Sequence, residues 1–118
     1  MIEYLRWSRK WADKLDFLER VEREDGKTPP ALRDRPELAD HLVYIWNAFQ
    51  IVSTDRPSGM GLAPIPFSAI DRFARRYAIA CVDEFERLRR LIGEMDRALL
   101  DDLAAEQERD RAARKGRR

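Results

Sequence analysis

SGMGLAPIPFSAIDRF, residues 58–73, interrupts a chain whose flanks both carry helical spacing, and two glycines and two prolines fall between Gly59 and Pro66. Such a stretch is either a backbone cradle for an anion or a corner between helices. Cradles aim successive N–H groups and a helix N-terminus at the anion. Pro64 and Pro66 each delete a donor, and neither the Lys-Ser/Thr of a P-loop nor a preceding strand is present. The corner is the better account. Gly59 and Gly61 permit positive φ, Pro64 and Pro66 stiffen the exit, and Met60, Leu62, Ile65 and Phe67 offer apolar side chains for burial. Met60, Ile65 and Phe67 are expected beneath the turn.

Working outward, Leu38, Leu42, Ile45, Trp46, Phe49 and Val52 form an apolar stripe on a helix that Asp34 can cap and that tolerates Pro36 in its first turn. This second helix reaches about Ser53. On the other side, Ser68 and Asp71 resemble a capping box, and Ile70, Phe73, Ala74 and Tyr77 mark a short third helix to about Ala80. From Val82 onward, Phe85, Leu88, Ile92, Met95, Leu99 and Leu103 keep the seam of a fourth helix that packs along another.

Ahead of all this, Tyr4, Trp7, Trp11, Leu15, Leu18 and Val21 share one face of a first helix over about Glu3 to Glu24. Gly26 stops it, and TPPALRDRP, residues 28–36, predicts an extended linker. No segment alternates like a strand. The expected fold is all-α, a small bundle of about four helices with a Gly/Pro corner between the second and third. Its expected organisation is an N-terminal amphipathic helix (1–25), a Pro-rich linker (26–36), a helical core domain (37–103) and a charged, flexible tail (104–118). The tail, AAEQERDRAARKGRR, has no large apolar residue with which to bury itself.

The 118 residues suffice for one modest core. Charged residues are 38% of the chain but nearly cancel, 23 Lys and Arg against 22 Asp and Glu, so no global field recruits nucleic acid or an anionic membrane. The N-terminus lacks the pattern of a signal peptide, and no apolar run approaches the roughly 20 residues that span a bilayer. A reducing cytoplasm is the simplest setting. One cysteine, Cys81, and one histidine, His41, exclude a disulfide framework and the usual zinc sites. Cys81 is expected as a buried small hydrophobe and His41 as a surface or capping residue. Asp83, Glu84, Glu86, Glu94, Asp96, Asp101 and Asp102 are interleaved with arginines, which predicts a solvated ion-pair face and not acid–base chemistry. No nucleophile–base pair, metal set or cofactor loop emerges, so no enzyme and no cofactor is expected. Trp7 and Trp11, with Leu15 and Leu18, form either core or a partner-binding face.

WNAFQIVSTDRPSGMGLAPIPFSAIDRFARRYAI followed by EFERLRRLIGEMDRALL resembles small proteins of long-tailed bacteriophages and prophages. The resemblance is carried by Trp46, Phe49, Gly59, Met60, Gly61, Pro64, Ile65, Pro66, Phe67, Ile70, Phe73, Ala74, Phe85, Ile92, Met95, Asp96, Ala98 and Leu99. These proteins are encoded near the tape measure gene and are regarded as tail assembly chaperones or their relatives. The resemblance implies a non-enzymatic protein of the bacterial host cytoplasm that keeps the tape measure protein soluble and helps bring tail tube subunits to it. Self-association is compatible with it, and a membrane is not involved. The first helix, the linker and the basic tail lie outside the shared pattern. Two rivals remain at this point: a small DNA-binding protein of the terminase small subunit or regulator kind, suggested by the ARKGRR end, and a structural tail or neck component.

Overall fold

A computed structural model describes residues 1–59 and 62–116, and these divide into two compact units, Met1–Leu42 and Val43 onward. Among the described residues the secondary structure is helical throughout, as the spacing of apolar residues predicts.

In the first unit, α1 (Ile2–Trp11) and α2 (Leu15–Asp25) are separated by a 3₁₀ turn over Ala12–Lys14. The single helix expected over Glu3–Glu24 is therefore broken by one tighter turn, which Trp11 precedes at φ −122° and Lys14 ends at φ −109°. No glycine or proline marks the break. Gly26 ends α2 as expected, at φ +69°, a conformation that costs a residue with Cβ about 1–2 kcal/mol, and its N–H donates to the Glu22 carbonyl at 2.9 Å. The segment that follows is not simply extended. Pro30 opens a one-turn helix, α3 (Pro30–Arg33), because its missing N–H would have had no partner at that position. Asp34 caps the C-terminal end of that turn and does not start the next helix. Leu5 and Leu18 are the buried apolar residues of this unit.

The second unit begins with α4 (Val43–Val52), later than the predicted start near Pro36. A 3₁₀ turn over Asp40–Leu42 precedes it and places His41 at the surface. After the corner come α5 (Phe67–Arg76) and the long α6 (Val82–Gly116). The three helices pack pairwise. Their core is Ile45, Ala48, Phe49 and Val52 from α4, Ala69, Ile70 and Ala74 from α5, and Leu88, Ile92, Met95 and Ala98 from α6. Ile45, Leu88, Ile92 and Met95 are fully buried, so removing any one of these side chains to Ala is expected to cost about 2–5 kcal/mol.

Several local expectations are corrected. Pro66, in an extended conformation, precedes α5, so Ser68 lies inside the helix and the Ser68/Asp71 capping box is not formed; Asp71 pairs instead with Arg75 at 3.1 Å. Helix α5 stops at Arg76, not Ala80. Ala78 there adopts φ +57°, with its N–H on the Arg75 carbonyl and the Ile79 N–H on the Ala74 carbonyl at 2.8 Å. This is a Schellman ending with alanine where glycine is usual. Tyr77, which its spacing groups with the apolar residues Ile70, Phe73 and Ala74, is exposed and lies tilted against Phe73 with ring centroids 4.5 Å apart. Cys81 is exposed, not buried. The charged end of α6 remains helical to Gly116, supported by alanines and an Arg111–Glu108 pair at 3.6 Å one turn apart.

Candidate functional site

The corner is built around an ion pair. Ser53 and Thr54 donate their hydroxyls to the carbonyls of Phe49 at 2.6 Å and Ile51 at 2.7 Å, which satisfies two acceptors left over at the end of α4. Arg56 then turns extended, at φ −60° and ψ 126°, the conformation that the following Pro57 imposes on it. Its guanidinium reaches inward. Nη2 donates to Asp96 Oδ1 at 2.5 Å, and Nη1 donates to the Ala63 carbonyl at 2.6 Å. Asp96 Oδ2 in turn accepts the Ile65 N–H at 2.9 Å.

These contacts close a ring from the exit of α4, across the corner, to the middle of α6. Ile65 carries the one backbone donor between two prolines, and the buried carboxylate takes it. The donor that an anion cradle would need is thus spent on the protein's own Asp96. Only 9% of the Arg56 side chain and 7% of the Asp96 side chain are exposed. No buried side-chain polar atom among the described residues lacks a partner. A buried pair of this kind returns little net stability, because desolvation offsets attraction, but losing one partner strands the other charge. It therefore dictates the path of the chain more than it strengthens the fold.

The clamp corrects two expectations. Asp96 is a core residue at the register of Ile92 and Met95, not part of a solvated carboxylate face. Arg56 carries the corner, although nothing in STDRP sets it apart from the other arginines of the chain. A carboxylate four residues after Ile92 on a buried seam requires a partner, but arginines nearer in sequence, Arg90 and Arg97 among them, compete with Arg56, so only the fold identifies it.

Of the other corner residues, Ile65 is buried as expected, Pro66 is half-buried, and Gly59 and Pro64 are exposed. Phe67 is not buried beneath the turn. It is 58% exposed, with its ring edge-on to Phe85 at 5.6 Å. Met60 and Gly61 lie outside the described residues. A surface pair, Arg72 to Asp55 at 2.8 Å, joins α5 to the turn after α4.

In the first unit, Trp7, Trp11 and Leu15 are half-buried and Leu18 is buried. Trp7 donates its indole N–H to the Ala31 carbonyl at 2.8 Å and carries Arg35 over its ring at 4.9 Å, so its polar edge is engaged within the unit. Trp11 lies against Lys10 and Lys14, at 5.2 and 5.6 Å. Phe17, absent from the predicted stripe, is the exposed aromatic of α2. On α6, Glu86 accepts two hydrogen bonds from Arg89, which hold its carboxyl below the usual range and raise the guanidinium correspondingly. Among the described residues no group of His, Cys, Asp or Glu is placed to hold a metal ion.

The model of a protein family described as phage tail assembly chaperone matches residues 21–101, well over half of the 118, and spans the clamp from Arg56 to Asp96. The chain belongs to that family. The match starts within α2, earlier than the resemblance read from the corner alone, and stops before the charged end of α6. No curated protein and no solved structure matches the chain. Membership implies interaction with other phage tail proteins. No helix among the described residues is long and apolar enough to cross a membrane.

Proposed function

We propose that this chaperone acts without catalysis, in the cytoplasm of the bacterial host, by binding the tape measure protein and delivering tail tube subunits to it. The observation that carries the reading is the family match across residues 21–101, which encloses the whole clamped corner. A rigidly routed three-helix unit with apolar helix faces and many surface charges suits the task of holding a long helical partner in solution. The half-buried face of Trp7, Trp11 and Leu15 is one surface available for such contacts, whereas Leu18 is buried and serves the fold.

Co-expression with the tape measure and tail tube proteins of the same phage tests the proposal. A co-purifying complex, together with absence of the chain from finished particles, is the expected outcome. Stoichiometric presence in particles without such a complex would make it a structural tail or neck component. Salt-dependent binding of duplex DNA that is lost on deleting Arg114 to Arg118 would favour the DNA-binding alternative.

A further inference from the structure

We draw no further inference here: the strongest candidate, the exposed apolar patch at the starts of α5 and α6, where Phe67 meets Phe85 and Val82 stands one turn before it, carries none, because nothing in the structure shows what covers it.

Discussion

Two proline-bearing connectors organise this protein, and they are held in different ways. Residues 26–36 carry three prolines, and one indole hydrogen bond, from Trp7 to the Ala31 carbonyl, fastens the helical turn at their centre. Residues 56–66 also carry three prolines, but here a buried ion pair pins Arg56 at one end and the Ala63 carbonyl and Ile65 N–H toward the other. The difference teaches how burial sets the consequence of a polar contact. A half-buried indole that loses its acceptor can turn to water, whereas Arg56 or Asp96 without its partner is a charge sealed from solvent.

The largest expected effect breaks the second connector. Asp96→Ala should cost about 3–5 kcal/mol in urea denaturation, because it strands the guanidinium and frees the Ile65 N–H. Replacing both partners, Arg56→Met with Asp96→Leu, should cost clearly less than either single alanine change; a double-mutant cycle with additive losses would show that the pair does not act as a unit. Trp7→Phe, which keeps the ring and removes the donor, should cost about 1 kcal/mol and lower amide protection in α3.

Ala78→Gly should stabilise the chain by about 1 kcal/mol, seen as a raised denaturation midpoint, since the Schellman ending holds alanine at φ +57°. Asp55→Ala, which removes an exposed pair with Arg72, should change stability by less than about 0.5 kcal/mol. The smallest effect concerns acid. The Glu86 carboxyl is lowered first by its hydrogen bond from Arg89, so the support it lends is complete above its unfolded pKa and is lost as pH falls through the folded value. An NMR titration in which Glu86 moves back up on Arg89→Gln would establish the cause.

Much of the fold was legible because apolar spacing and chain breakers act locally. Ile45, Phe49 and Val52, then Leu88, Ile92 and Met95, fall on the faces that their spacing assigns, and Gly26 stops α2. The 3₁₀ turn at Ala12–Lys14 was not legible, as those residue types continue a helix equally well. The turn at Pro30–Arg33 was hidden behind prolines that usually signal extended chain, although proline is also at home at a helix start. At the candidate site, glycines and prolines announce a corner, but hydrophobicity alone places Phe67 in its interior. The ring contact with Phe85 shows that it stands at a helix start that faces water.

That the chain is helical, that it turns at Gly26 and after Val52, and which phage family it resembles follow from periodicity, backbone chemistry and the order of short motifs in the sequence alone. Tertiary structure alone decided that Arg56 and Asp96, 40 positions apart, are partners, and that Phe67 and Phe85 share a surface. The reason is physical. A charge is the same letter whether it faces water or core, and only the packing of α4, α5 and α6 removes water from one carboxylate of an otherwise solvated series and leaves two apolar helix starts exposed.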